Sequence, residues 1–540
     1  MPLIVILVFV VIATIIAVVH DLNYPKRIKN ELNQNYEEAI KEPLMPCFHH
    51  YYQTLKSNPN RTVDHQTWND LDMDKLTDTL NYTQSMIGES YLYAACHQLK
   101  DEKTLLDREA AITYFSTHSK ERTEIQYLLY LLGKSEDMFI EDLPKRVNGI
   151  QIKGKPLFRL FAYLPVLMLL FIPFSPNLGI ALFFIVLCIN VVLYLYANLY
   201  ISKIDYLLSS GGMMMIQAKK ILPYIDSSLF FYPALQKTVQ FWSPFIRSFE
   251  GVTKIKDSDL QAILSLYRYF NLKEARCFLK IQKQLTQHKH EYMTLYETLG
   301  EIELCIAIAT YRHSLNLHYC LPEFIETSQF IMTEGYHPLL PNGIANSLTM
   351  DGPIMLTGSN ASGKSTFLKS VAVNMILAQT IHTVTAQAFK MKPCLIVSSM
   401  AIQDHLLEGE SYFIAEIKSL KRLLDLVDHT YCFCLVDEIL RGTNTYERLL
   451  ASSAVCHYLS QKDSLSMIAT HDIELTALPD FKQYHFEETI KENSIYFDYL
   501  LKAGPSHTMN AIELLKIYGF NQNILDWIDN QKKYDTIKNG

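Results

Sequence analysis

A surplus of positive charge is missing from this 540-residue chain: 49 lysines and arginines face 56 acidic side chains, for a net charge of −7. A dedicated nucleic-acid binder carries a basic excess, at least in one patch. Strong non-specific affinity for polyphosphate is therefore not expected of the chain as a whole. Metal-binding cysteine spacing is missing too, since the ten cysteines are scattered without a CxxC pair or a zinc-like interval. Cys432 and Cys434 flank Phe433 in an apolar run, which suits small buried thiols on a strand, and the Cys47, His49, His50 group has no second ligand pair. Reduced thiols and a cytoplasmic soluble mass follow as expectations. No internal repeat or low-complexity segment is present. The length exceeds one ordinary core, so at least two soluble domains are expected.

Charge is also absent from three long apolar runs. Residues 3–19 (LIVILVFVVIATIIAVV) are about long enough to cross a hydrocarbon core, and they lack the basic n-region and small-residue cleavage site of a signal peptide. An uncleaved anchor is the expectation. Runs 160–174 and 178–200 are separated by Ser175, Pro176 and Asn177, which suit a tight turn between two spans. The first of this pair is short and carries Pro165 and Pro173, so re-entry or a buried soluble hairpin stays open as the alternative. Lys26, Arg27 and Lys29 follow the first run; Lys153, Lys155 and Arg159 precede the second; Lys203, Lys219 and Lys220 follow the third. The positive-inside rule puts all three clusters, and with them 21–159 and 201–540, in the cytoplasm. A multi-pass protein of the cell membrane is the expectation.

Helical periodicity marks 85–135 and 257–318, where Leu260, Leu264 and Tyr267, then Leu295, Leu299, Ile302 and Ile306, recur at core spacing. From about residue 354 the pattern becomes alternating strands and helices, the mark of an α/β domain with a largely parallel sheet. Ile354–Thr357, Cys394–Ser398, Tyr431–Val436 and Ser466–Ala469 are the candidate strands.

The first of these strands runs into Gly358-Ser359-Asn360-Ala361-Ser362-Gly363-Lys364-Ser365, which fits G-x-x-x-x-G-K-[ST], with Thr366 and a helical pattern behind it. Such a loop curls its backbone N–H groups around phosphate oxygens at a helix N-terminus. Lys364 reaches the β- and γ-phosphates, and Ser365 ligates Mg²⁺. The third strand delivers Asp437 and Glu438 together at its end. Asp437 suits a water-mediated Mg²⁺ contact, and Glu438 suits the general base that polarises an attacking water. The fourth strand ends in Thr470-His471, and His471 can contact a γ-phosphate or the lytic water. ATP and Mg²⁺ are the expected cofactors, and Lys364, Glu438 and His471 the expected catalytic residues.

In combination these motifs resemble the MutS family of mismatch-repair ATPases. TGSNASGKSTFLKSVAVNMILAQ resembles the family's phosphate loop, Asn360 included; VDEILRGTNTYE resembles DEIGRGTST, with Asp437, Glu438, Arg441, Gly442 and Thr443 matching. Leu440 stands where the family usually has glycine. ATHDIELTAL resembles ATHYHELT, and DHLLEGESYFIAEI resembles the stretch whose serine, here Ser411, reaches the γ-phosphate held by a partner copy; Glu416 matches a glutamate of that stretch. The resemblance covers most of residues 351–510. A weaker one covers QTWNDLDMDKL, NYTQSMIGESYLY and LLDREAAITYF, similar to the start of the family's helical core, and LGEIELCIAIATYRHSLNLHYCLPEF, similar to its end.

The resemblance implies an α-helical core domain, here with transmembrane helices, plus a C-terminal α/β P-loop ATPase domain of the ABC type. The implied division is an anchor at 1–20, a cytoplasmic helical region at 21–155 that begins the core, and a membrane hairpin at 156–200. A core and lever region at 201–330, the ATPase domain at 331–510 and a helical dimerisation segment at 511–540 complete it. It implies a homodimer in which Ser411, Arg441 and Thr443 act across the interface, with Tyr499 stacking on adenine. Gly343 stands where the opposing aromatic is expected. Nothing before residue 60 resembles the mismatch-reading domain. The triplets Phe324-Ile-Glu326 and Phe486-Glu-Glu488 are the nearest to the reader's Phe-x-Glu wedge and lie beside or inside the ATPase domain, as chance matches would. No β-rich clamp module is evident in 201–290. Two readings remain: an ATPase coupled to mismatched or structured DNA, with Lys273, Arg276, Lys280, Lys283 and Lys289 as possible phosphate contacts, and a membrane mechanochemical ATPase acting on a partner protein or lipid without DNA.

Overall fold

The computed structural model describes residues 23–528, except 42, 47, 57, 136–138, 253–269, 316, 341, 360–361, 401–411, 441–442, 492–493, 507–514, 516 and 518. The apolar run 3–19, residues 260–267, the C-terminal segment beyond 528, and Asn360, Ala361, Ser411, Arg441 and Gly442 therefore lie outside the described residues. Two compact units make up the rest. One comprises residues 1–56, 80–95 and 106–314, the other 57–79, 96–105 and 315–540.

The first unit is helical. Its helices include α1 (Met86–His97), α2 (Glu102–Thr117), α3 (Ser119–Tyr130), α4 (Leu143–Gly149), α5 (Lys155–Phe171), α6 (Pro176–Ile201), α7 (Asp205–Ile221), α8 (Tyr232–Trp242), α9 (Lys273–Gln287) and α10 (Lys289–Ser314). α10 is the central rod, and Leu295, Leu299, Ile302 and Ile306 are all in the core. So is its polar face, which obliges that face to be paired. Arg108, itself fully buried, donates to Glu301 through Nε at 2.5 Å and Nη2 at 2.9 Å, and the Tyr91 hydroxyl adds a third bond at 2.6 Å. Glu303 accepts from the Ser85 backbone at 2.8 Å and its hydroxyl at 2.5 Å, while burial pushes its carboxyl above the usual range.

α5 and α6 form a hairpin packed so closely that a Cβ on Gly179 would lie 2.9 Å from the Ile172 Cα. Its outer faces are apolar and exposed: Leu170 is 68 % exposed and Val192 65 %. Asn190 is buried and donates to the carbonyls of Phe161 (3.1 Å) and Phe270 (2.9 Å), tying α6 to its neighbours. α6 continues through a single 3₁₀ turn, Ser202–Ile204, into α7, so the helical run extends unbroken over Pro176–Tyr224. It is the one helix among the described residues long and apolar enough to cross a membrane, and only 22 % of its most apolar stretch is buried. α5, 17 residues long with Pro165 inside it, falls short of the roughly 20 residues a span ordinarily uses. Of the two spans expected from the hairpin, the described helices retain one, and run 3–19 lies outside the described residues.

The second unit is α/β. Its strands are β1 (Glu323–Phe324), β2 (Phe330–Gly335), β3 (Asn346–Met350), β4 (Ile354–Thr357), β5 (Ala388–Met391), β6 (Leu395–Ser399), β7 (Cys432–Asp437), β8 (Leu465–Ala469), β9 (Lys482–His485), β10 (Glu488–Lys491), β11 (Ser494–Phe497) and β12 (Lys502–Ala503). The main sheet runs β12-β9-β4-β8-β7-β6, parallel except for β12. β4, β6, β7 and β8 are buried at every position, as strands covered on both faces must be. α11 (Lys364–Ile381), α12 (Tyr412–Val427) and α13 (Thr445–Ser460) supply the helical layers. A smaller mixed sheet, β1-β5-β2-β3, and the hairpin β10-β11 complete the unit.

A strap from far up the chain covers the edge strand β6. Asp70, on the short helix His65–Asp70, accepts from the Ser398 hydroxyl (2.6 Å) and the Met400 backbone N–H (3.1 Å); the Thr67 hydroxyl accepts from the Ser398 N–H (3.1 Å). Arg422 on α12 pairs with Asp64, and Lys369 on α11 pairs with Asp72 at 2.6 Å. The strap thereby occupies an edge that would otherwise invite a foreign strand.

Candidate functional site

The sheet order brings three strand ends together. β8 lies between β4 and β7, with Leu356 opposite Ala469 and Asp437 opposite the same Ala469. Whatever follows β4, β7 and β8 must therefore converge.

After β4 comes the phosphate loop. Gly358 has φ +138°, and a Cβ there would sit 2.5 Å from the Phe486 carbonyl; Gly363, at φ +102°, caps α11. Both positions need glycine's freedom. Ser362 is buried, its hydroxyl donating to the Ser359 carbonyl at 2.7 Å. Lys364, the first residue of α11, is buried and folds back to donate to the carbonyls of Gly358 and Ser359, both at 2.7 Å. The Ser365 hydroxyl donates to Asp437 Oδ2 at 2.6 Å. Glu438 follows at φ +61°, its N–H bonded to the Ala469 carbonyl at 2.9 Å. His471 Nε2 lies 2.9 Å from Glu438 Oε1 and 3.3 Å from Lys364 Nζ. A single ring nitrogen cannot serve both at once: protonated it donates to Glu438, and bare it accepts from Lys364. The Arg448–Asp472 ion pair (2.6 Å) and the Asp472 N–H bond to the Thr470 hydroxyl (3.0 Å) fix the loop that carries His471.

Beside the loop is a cavity of about 700 Å³, within the range of small-ligand sites. Gly343, Ile344, Gly363, Thr366, Phe497 and Tyr499 are among its walls. Tyr499, at φ +54°, stacks on Phe497 with ring centroids 5.8 Å apart. Asn346 holds it in place, donating to the Tyr499 carbonyl (3.0 Å) and accepting from the Leu501 N–H (2.7 Å). No ring stands at Gly343, so the cavity offers one aromatic wall from the predicted pair. His337 also lines it. Burial, and then the charge of Lys369, push its pKa down to about 4, and its Nδ1 accepts from the Leu339 N–H at 3.2 Å, leaving the neutral ring's proton on Nε2.

The Thr443 hydroxyl donates to Glu447 at 3.2 Å at the start of α13. Glu416 lies near the start of α12. Two residues of the triplet Phe486-Glu-Glu488 sit against the phosphate loop. Glu488 is buried and accepts from the Ser359 hydroxyl at 2.9 Å, and Phe486 packs on Phe367 (5.6 Å) while its carbonyl backs Gly358. The chance-looking triplet thus braces the phosphate loop. His337, Asp70 and Asp72 gave no sequence signal, because only tertiary packing brings them near α11 and β6.

Among the described residues no group of three or more His, Cys, Asp or Glu could hold a metal ion. The hydroxyl of Ser365 and the carboxylate of Asp437 are nonetheless a hard-oxygen pair of the kind that holds Mg²⁺ together with waters and substrate phosphates. The thiols do not compete: none of the nine described cysteines forms a disulfide, burial pushes Cys432 up to about 12, and burial holds Cys434 well above the usual thiol range.

Residues 354–535 match MutS domain V. Curated relatives carry the same family name. "DNA mismatch repair protein MutS" of Lactobacillus delbrueckii subsp. bulgaricus is 29 % identical over 268 residues, which is 47 % of this chain and 31 % of the relative. The protein of that name from Clostridium kluyveri is 26 % identical over 270 residues, with the same two shares. The chain thus spans about a third of the length of the curated relatives it matches. The domain match and these relatives support the MutS family for the α/β unit, and its phosphate loop, acidic strand end and His471 all fall within the matched residues.

Proposed function

We propose that this protein is a membrane-anchored MutS-like ATPase that binds Mg²⁺-ATP at these strand ends and hydrolyses it between two copies of the chain. The observation that carries the proposal is the convergence of two bonded groups at adjacent strand ends, Ser365 with Asp437 and His471 with both Lys364 and Glu438. Lys364 exchanges its two carbonyl partners for phosphate oxygens, and Ser365 and Asp437 hold the metal, which neutralises phosphate charge when bound. Glu438 takes the proton of the attacking water, and His471 registers the γ-phosphate through its choice of partner. Gly358–Thr366 line the phosphates and Tyr499 the adenine. Ser411, Arg441 and Thr443 are assigned to the dimer interface, with Ser411 completing the partner copy's site. α6 anchors the chain, with the basic clusters and the ATPase unit in the cytoplasm.

The relatives' name makes DNA the first candidate for what the cycle acts on. A second reading, force on a membrane partner without DNA, is favoured by the run Pro176–Tyr224, which leads from exposed apolar α6 directly into α7, whose Leu208, Met214 and Ala218 are buried. Two measurements decide. E438Q should retain ATP binding while hydrolysis falls by about 10²–10⁴-fold; hydrolysis at the wild-type rate would refute the base assignment. ATPase activity of the detergent-solubilised protein should rise with duplex, mismatched or branched DNA at low salt, where phosphate contacts are strongest. An absence of both binding and stimulation leaves the DNA-free reading.

A further inference from the structure

We propose that a second cavity, at the start of α5, binds the phosphate-bearing headgroup of an anionic membrane lipid, an inference that rests on the membrane anchoring proposed above. The cavity has a volume of about 430 Å³ and lies between the segment leading from α4 into α5 and one face of α9. Of its ten described lining residues three are lysines, Lys153, Lys155 and Lys283, and none of these ten is acidic, so it favours an anion. The lysines are not simply scattered on the surface. Buried Gln282 donates to the carbonyls of Val147 (3.0 Å) and Ile150 (2.5 Å), and its remaining oxygen accepts from Lys155 Nζ at 3.3 Å, aiming that ammonium across the cavity floor. The Lys153 N–H donates to the Tyr196 hydroxyl at 3.3 Å, tying the rim to α6. α5 begins here with Gly154 at φ +74° as its N-cap and no side-chain cap, which adds the partial positive charge of a helix start.

Position selects a lipid over a free phosphate. Within two turns of Lys155 the surface becomes apolar: Leu157 is 46 % and Leu160 59 % exposed, and no charged residue follows Arg159 until Lys203. A headgroup held by the lysines leaves its acyl chains along that face. Arg276, donating to the Tyr163 hydroxyl at 3.1 Å with its guanidinium 5.3 Å from the ring, adds the basic and aromatic pairing characteristic of a membrane–water boundary. Basic pockets at such a boundary hold phospholipid headgroups.

The test uses the full-length protein in detergent, titrated with phosphatidylglycerol or phosphatidylcholine, with bound lipid counted by native mass spectrometry. The wild type should prefer the anionic lipid by about tenfold, and K153Q/K155Q/K283Q should lose that preference. K219Q/K220Q/K237Q, which removes the same charge elsewhere in the unit, should keep it. The proposal is overturned if the pocket variant retains the preference, if the control variant loses it equally, or if inorganic phosphate or short duplex DNA displaces the lipid. Flotation with phosphatidylcholine liposomes separates the two levels: a protein that floats without anionic preference refutes the headgroup site alone, and one that fails to float refutes the membrane anchoring beneath it.

Discussion

At the scale of single residues, His337 links the proposed nucleotide cavity to pH. Its folded-state pKa of about 4 lies below the ordinary 6.5 of histidine, so the unfolded chain binds the proton more readily between those values. Stability from this group is therefore complete above about 6.5 and declines as pH falls to about 4, by at most about 3 kcal/mol. H337Q should flatten the fall in melting temperature across that window; an unchanged slope would assign the acid sensitivity elsewhere. Residues whose chemistry needs contiguous neighbours were legible in the sequence: the glycines of the phosphate loop, Lys364, and Asp437 with Glu438 all sit where a strand or helix must end. His337 and Glu488 were not, because register and packing, rather than spacing, bring them to the loop. Leu440 was visible as a departure from the family, and its meaning is structural. It holds φ +57°, a left-handed conformation that costs a branched side chain about 1–2 kcal/mol and that glycine adopts freely.

At the scale of elements, the four fully buried strands were readable to within a residue at each end, since burial on both faces leaves no charged residue before their last position. The half-exposed β3 and the two-residue strands β1 and β12 carry too little pattern to be read. The strap was invisible for a different reason. Its residues look like ordinary helical sequence, and only the pairing of Asp64, Asp70 and Asp72 with α11, α12 and the segment around β6 reveals its role. Replacing Asp70 by alanine strands the Ser398 hydroxyl and Met400 N–H and should destabilise the protein by about 1–3 kcal/mol in denaturant unfolding. D70N should do much less harm. Burial holds this carboxyl above its usual range, so its charge opposes folding as pH rises through the folded pKa, and the amide keeps an acceptor without the charge. Equal losses in the two variants would show that ionisation, not acceptance, matters at this position.

At the scale of the whole molecule, the proposed sandwich of two nucleotides makes activity a property of the pair. S411A should bind ATP and hydrolyse it poorly, K364A should lose binding, and mixing the two should restore activity that neither shows alone, because a heterodimer joins an intact phosphate loop to an intact serine. Mixing without rescue would confine catalysis to a single chain. What such a cycle would move was the least legible feature in the sequence, since net acidity and motifs concentrated in 351–510 leave the engine visible and its load unspecified.

The 3₁₀ turn at Ser202–Ile204 has a mechanical consequence. It lies where the exposed apolar α6 gives way to the buried α7, and a tighter turn inside a long helix is where bending concentrates. With α7 extending about 25 Å beyond it, a tilt of about 10° at this joint swings the far end by about 4 Å while the apolar helix stays upright. Under the proposed anchoring by α6, the helices packed on α7 are free to rock without dragging, thinning or puckering a surrounding bilayer.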